Sequence, residues 1–440
     1  MILLTVVICV ATFAAVIILL RRDVVSLGLP IAYLGSLLLI HVPGALAHLL
    51  DRNNVMVERR IFTQVGMVLT AIASVCFLIG VVLAGLHKTE VVPKPANRTT
   101  FARFCLFGGA AATIVRFFYA IPSVVAIIDR GGVIWMLAVM VGLRSAVTRR
   151  SRIGFWKWIA VLLIYPALML ILGGFLSYGV AAMMIVLSAV VVVARSGSRV
   201  LIGCVVASIA GISIFLSYFE NRTEIRGAVW GGAPMEQRVD VSLGAARQIT
   251  LFNPANESHL LALDARLNQN YFAGLAAARI ANGDSHYLYG RTIWDGFLAI
   301  IPRVFWPDKP IVAGSGSIVA DATGLQLSTS TSFGVGNVME FDINFGIPGV
   351  IAGFLLLGFV LRKLDRNAAG SYDEGDLGST LLYFLPAVAM IQPNGSMVEV
   401  IGGAAAALMA AYAWRWAWIR WPKPIAFASL PTARVTRSAR

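Results

Sequence analysis

The sequence predicts an all-α protein that crosses a membrane about eleven times and carries one large, mostly helical loop outside. Three observations predict it. Only 13% of the 440 residues are charged and 58% are hydrophobic, whereas a soluble domain carries about 25% charged residues. The apolar residues fall in runs close to the ~20 that a helix needs to cross a bilayer. The charge is also segregated: residues 219–346 hold nine basic and twelve acidic side chains, a net charge of −3, while the whole chain carries +14. This pattern excludes a soluble enzyme, a disordered chain and a single-anchor receptor.

The apolar runs place spans at 2–20, 24–46, 61–86, 104–127, 131–148, 156–174, 178–195, 199–218, 347–362, 379–393 and 398–418. The run 131–148 is left short by Gly131-Gly132 and by Arg144; if it only lies on the surface, the count is ten and the upstream topology inverts. The first run lacks a basic leader and a small-residue cleavage site, so it reads as a retained helix. The basic excess lies in short connectors such as Arg21-Arg22, Lys88 to Arg103 and Arg144 to Lys157, and in the tail from Arg415. Short basic connectors stay on the cytoplasmic side. The N-terminus is therefore expected outside and the C-terminus in the cytoplasm. The organisation follows: a bundle of about eight helices over 1–218, an outer loop over 219–346, about three helices over 347–418, and a basic tail over 419–440 that reads as a cytoplasmic anchor, with no nucleic-acid partner. The four cysteines all sit in apolar runs and read as small hydrophobic side chains.

No cytoplasmic connector is long enough for a catalytic domain, and none carries a P-loop, a G-x-G-x-x-G or a D-x-D pair. Any chemistry belongs to the outer loop and the membrane mouth beneath it. ATP is absent there, so a substrate must bring its own leaving group, as a sugar on a polyprenyl diphosphate does. Such a reaction needs cations for the diphosphate, a carboxylate for a hydroxyl proton and aromatic rings for sugars. No metal and no cofactor are implied.

The loop's cations are eight arginines and one lysine. Arginine holds phosphate oxygens bidentately and stays charged; the alternative is that these arginines pair with the acids around them. In 262–281, Leu263, Leu267, Phe272 and Leu275 predict a helical stripe carrying Arg266 and Asn270 on one side. Arg279 and Arg291 follow. Arg303 and Lys309 bracket a proline-stiffened turn around Trp306, which either stacks a sugar or anchors at the interface. Glu340 and Asn344, four residues apart, share a helix face, while Asp342 points elsewhere. Glu340 is the first candidate base, with Asp342 and Glu399 behind it; a favourable place against a helix dipole is the alternative for Glu340. Arg116, inside an apolar run, is a candidate ligand for a lipid phosphate, or the ion-pair partner of Glu399. His41 and His48, seven apart, read as packing or lipid-interface residues, and His286 as a remote candidate base.

The strings Arg266-Leu-Asn-Gln-Asn270, Gly290-Arg-Thr292, Ile301-Pro-Arg-Val-Phe-Trp-Pro-Asp-Lys-Pro310 and Glu340-Phe-Asp-Ile-Asn-Phe-Gly346 resemble those of the O-antigen and exopolysaccharide repeat-unit polymerases of bacterial envelopes. The resemblance implies a membrane glycosyltransferase fold of the C type, in the bacterial cytoplasmic membrane, with a periplasmic catalytic loop. It implies transfer of a growing glycan from its polyprenyl diphosphate onto a polyprenyl-diphosphate-linked oligosaccharide repeat unit, with membrane lipid and a chain-length regulator protein as partners. A ligase moving finished glycan, or an exporter or flippase of lipid-linked glycan, are the alternatives.

Overall fold

The computed structural model describes residues 1–21, 24–86, 96–116, 122–174, 177–194, 197–301, 306, 308, 314–326 and 334–422. Among them there are helices and no strands. In chain order the helices are α1 (Ile2–Leu20), α2 (Leu29–Leu50), α3 (Val57–Leu83), α4 (Arg98–Val115), α5 (Pro122–Gly132), α6 (Ile134–Thr148), α7 (Arg152–Gly173), α8 (Ser177–Ala194) and α9 (Gly197–Trp230). The loop region adds α10 (Met235–Arg247), α11 (Glu257–Arg266), α12 (Gln269–Ala281), α13 (Arg291–Ala299) and α14 (Ser315–Thr323). The chain then forms α15 (Asn337–Glu374), α16 (Leu377–Met390) and α17 (Met397–Arg420).

Among the described residues seven helical segments are long and apolar enough to cross a membrane: Ile2–Leu20, Leu29–Leu50, Val57–Leu83, Val124–Thr148, Arg152–Gly173, Asn337–Glu374 and Met397–Arg420. Two shorter apolar helices, Val180–Val193 and Leu377–Met390, accompany them. The protein is an α-helical membrane protein. The expected spans 104–127 and 131–148 are redrawn here. α4 ends at Val115, and Pro122, whose ring nitrogen has no hydrogen to donate, opens α5. From Val124 the apolar helix runs on to Thr148, interrupted only at Val133 between α5 and α6, so the weak segment is the second half of one segment long and apolar enough to cross a membrane.

Hydrogen bonds show which helix ends lie together. At one end of the bundle Arg362 and Asp365 of α15, both without solvent exposure, pair at 2.8 Å. Arg362 also donates to the Val25 carbonyl at 2.8 Å, and Asp365 accepts the backbone N–H groups of Leu27 at 2.9 Å and Leu29 at 3.2 Å. The α1–α2 connector is thereby stitched to the far part of α15. Arg98 and Arg144, from α4 and α6, donate to the Asp373 carbonyl and carboxylate at the same end. The opposite end, here the loop end, collects the α2–α3 connector, the start of α15, the turn before α17 and the described residues of 235–326. Buried Phe77, Phe354, Phe384 and Tyr33 form the core between α2, α3, α15 and α16, with Tyr33 stacked on Phe77 at 4.6 Å.

α15 is not one straight helix. Gly346 has φ 64° and ψ −156°, a region that only glycine occupies readily, and Pro348 follows it. The residues before the kink, 337–345, form a separate arm at the loop end.

Candidate active site at the loop end

Two helix N-termini meet at the loop end, and the turn between α16 and α17 clamps them. Gly336 donates its N–H to the Asn394 carbonyl at 3.2 Å, and Asn337 donates to the Pro393 carbonyl at 2.9 Å and, through its side chain, to that of Gly395 at 3.0 Å. Tyr33 from α2 donates to the Asn337 side-chain oxygen at 2.7 Å. This clamp brings two of the three sequence-predicted carboxylates onto one feature, the start of α17. The Glu340 Oε2 accepts the Met397 N–H at 2.6 Å. The Glu399 Oε2 accepts the Ser396 N–H at 3.1 Å, while the Ser396 hydroxyl accepts the Glu399 N–H at 3.3 Å, a reciprocal capping box.

The two carboxylates differ in access. Glu340 is wholly buried, held under the segment 287–299. Asn344, one turn on, donates to the Glu340 carbonyl at 2.7 Å and the Thr292 hydroxyl at 2.8 Å, and accepts from Gly290 N–H at 2.9 Å. The expected shared face of Glu340 and Asn344 is present, and it serves to bolt α13 onto α15. Glu399 is exposed, its second oxygen taking a hydrogen bond from Ser315 at 3.3 Å. Asp342 is buried, and among the described residues none hydrogen-bonds its carboxylate. α13 lies along α17, with Gly296 against the Met397 carbonyl and Ala299 against Gly402. Its outer face is Arg291, Trp294, Phe297 and Ile300, all exposed. Trp306 is exposed as well, whereas Arg303 and Lys309 lie outside the described residues.

The expected stripe through 263–275 is broken. α11 stops at Arg266 and α12 starts at Gln269, so Arg266 and Asn270 share no helix face. The physical reason is a tertiary one: the Leu267-Asn268 turn is driven between α2 and α3, where the Leu267 carbonyl accepts the Gly44 N–H at 3.0 Å. Gly66 and Gly274 let α12 and α3 touch backbone to backbone, since a Cβ at either would lie 2.0 Å or less from a carbonyl oxygen. Asn270, fully buried, accepts from Thr70 and from His41 Nδ1, both at 2.8 Å, and returns its amide N–H to the His41 carbonyl at 2.6 Å. Two turns further along α2, His48 donates to Asp264 at 2.7 Å, as do Asn268 at 2.7 Å and Arg59 at 2.8 Å. Burial pushes the Asp264 carboxyl up, but these three donors outweigh it and hold it below its ordinary range. His41 and His48, expected as packing or lipid-interface residues, are buried in the packing and also anchor this hairpin by hydrogen bonds.

Arg266 goes to another place. It lies 5.9 Å from the centre of the Phe219 ring, over which Arg222 also sits at 4.6 Å, while Arg226 covers Trp230 at 5.2 Å. Burial, and then the nearness of Arg222 and Arg226, lower Arg266 to about 10. Burial and the charge of Arg226 lower Arg222 as well. Three arginines thus gather where α9 leaves the bundle, at a cost in mutual repulsion. Arg279 closes α12 by donating to the Asp284 carbonyl at 3.2 Å. Arg116 pairs with Asp129 at 3.0 Å, rather than with Glu399.

Sequence reasoning gave Thr292 and Asn268 no role, although both fall in the strings quoted for the resemblance, and missed Arg130. Thr292 and Asn268 gain meaning only from partners far along the chain. Arg130, which the sequence places between two expected spans, comes to lie inside one long apolar segment only when α5 and α6 are joined. Compared with protein-family models, with curated proteins and with solved structures, the chain matches none of them.

Proposed function

We propose that the protein is a membrane glycosyltransferase of the C type that joins polyprenyl-diphosphate-linked oligosaccharide repeat units into O-antigen or exopolysaccharide on the outer face of the bacterial cytoplasmic membrane. Counting α4, α8, α9 and α16 as crossings, with α5 and α6 as one, gives eleven passes, an outside N-terminus and a cytoplasmic C-terminus.

The observation that carries this reading is the exposed Glu399 carboxylate on the start of α17, beside buried Glu340, at the same end of the bundle as the arginine-rich loop. Glu399 has the access that a base requires, and Glu340 holds the helix end on which it stands. In the proposed reaction a hydroxyl of the incoming repeat unit attacks the anomeric carbon of the donor glycan. Its proton passes to Glu399, the bond from carbon to diphosphate oxygen breaks, and the polyprenyl diphosphate leaves with the electron pair. Attack opposite the leaving group inverts the anomeric centre. Arg266, with Arg222 and Arg226, takes up the charge developing on the donor diphosphate.

The test is the length-resolved profile of lipid-linked glycan in a deletion strain. Single repeat units accumulating on the outer face, without long chains, is the expected result. Long chains stranded on the lipid carrier would replace polymerisation by ligation or export.

A further inference from the structure

Joining two lipid-linked glycans requires two lipid diphosphates to be held at once, and the arginine group at α9 accounts for one. We infer that Arg130 of α5 holds the second, as the phosphate ligand of a seat reached from the membrane beside α17; this rests on the function proposed above.

Arg130 lies flat on α17. The three atoms nearest to a Cβ built on Gly403 all belong to its guanidinium group: Nη2 at 2.9 Å, Cζ at 3.0 Å and Nε at 3.2 Å. Gly403 is four residues after Glu399, so Arg130 occupies the same face of α17, one turn deeper than that carboxylate, or ~6 Å along the axis. The side chain is half-buried, and among the described residues it forms no ion pair. The adjacent Asp129 is shared: it pairs with Arg116 at 3.0 Å and attracts Arg130 without contact, so one carboxylate serves two cations. With Arg116 and Arg130 sharing Asp129, a net positive charge remains at this place, and such a charge inside a crossing is costly unless a ligand uses it.

Depth argues for a lipid phosphate. α13 packs on α17 between Met397 and Gly402, and its outer face presents Trp294, Phe297, Ile300 and Ile301, with exposures of 63, 51, 42 and 39%. Tryptophan and apolar residues on one face of a short helix, with Arg291 at its start, suit the bilayer interface. That helix marks the headgroup level on α17, and Gly403 is the next position down. A phosphate anchored at the interface therefore meets Arg130, with its glycan rising towards Glu399. The chemistry required is a phosphate on a lipid, and polyprenyl diphosphate is the source that the reaction needs.

The experiment uses the full-length protein in nanodiscs of zwitterionic lipid, with polyprenyl diphosphate as the probe and native mass spectrometry as the count. Wild type takes up two molecules. Arg130→Gln takes up one, the other weakening about ten- to hundredfold, as expected for loss of a charge-assisted contact, and Arg130→Lys recovers part of it. Gly403→Ala also takes up one, because the new methyl group displaces the guanidinium group, while its unfolding temperature is unchanged or higher, since alanine favours the helix. Two molecules retained by both Arg130→Gln and Gly403→Ala would overturn the Arg130 seat and leave the polymerase reading standing. No uptake by wild type would instead remove the polymerase reading. Equal displacement of the second molecule by phosphatidylglycerol would make the seat an ordinary phospholipid site, and displacement by free pyrophosphate would make it a site open to water; either overturns the assignment.

Discussion

His48 of α2 and Asp264 of α11, 216 residues apart in sequence, are joined by a 2.7 Å hydrogen bond inside the protein. Asp264 collects every strong donor around it, so it is the residue whose loss leaves most behind. Asp264→Ala is expected to cost about 3 kcal/mol or more, the range for breaking a buried charged network, read as a fall in unfolding temperature in detergent. Arg59→Gln is expected to cost under about 1 kcal/mol, because Arg59 is 46% exposed and water replaces its partner.

The same network sets a pH dependence. A carboxyl held below its ordinary range in the folded protein contributes stability that is complete above that range and disappears as pH falls through the lower folded value. The stability gap between wild type and Asp264→Asn should be full at pH 7 and shrink only below about pH 4. A gap that closes already near pH 6 would show that the three donors do not hold the Asp264 carboxyl below its ordinary range.

Glu340 and Glu399 should separate by phenotype. Glu399→Gln is expected to reduce polymer formation by at least about a hundredfold at normal protein level, as for loss of a general base. Glu340→Ala is expected to lower the protein level itself, since it leaves the buried Met397 N–H without its acceptor. Immunoblotting of membranes alongside glycan profiling decides this, and normal levels of Glu340→Ala without polymer would move the base to Glu340.

Arg266→Gln should raise the unfolding temperature while lowering activity, because it relieves repulsion with Arg222 and Arg226 but removes a phosphate contact. Added salt should stabilise wild type more than the variant. A variant that loses stability together with activity would return Arg266 to a packing role.

At Gly346 any side chain must adopt a conformation reserved for glycine, and its Cβ would lie 3.0 Å from the Tyr287 hydroxyl. Gly346→Ala is expected to cost about 1–3 kcal/mol, measured as a loss of unfolding temperature. An unchanged value would mean that α15 straightens without penalty.

Membrane character and most crossings were legible in the sequence, because an apolar run of span length has few other uses. The boundary near Pro122 was missed because the flanking residues stay apolar through it, and hydropathy does not register a missing N–H. In the loop, the spacing of Glu340 and Asn344 was readable from helix periodicity alone. The stripe through Leu263 and Leu275 was not, since Asn268 breaks the helix to reach Thr63 and Asp264, a gain visible only once α2 and α3 are beside it. Arg266 and Asn270 likewise looked equivalent in sequence; one went to an arginine group and the other to a histidine, according to which side of that turn each fell.

The stitch between Asp365 and the α1–α2 connector has a consequence for biogenesis. The N–H groups of Leu27 and Leu29 leave the ribosome more than 330 residues before their acceptor is made. The first hairpin must therefore wait, unsealed, in or beside the insertion machinery until α15 arrives, and the bundle closes late and from both ends of the chain together. Co-expressing residues 1–232 and 233–440 as two polypeptides, divided at the turn after α9, should consequently yield an assembled protein, while either part alone should be cleared by quality-control proteolysis.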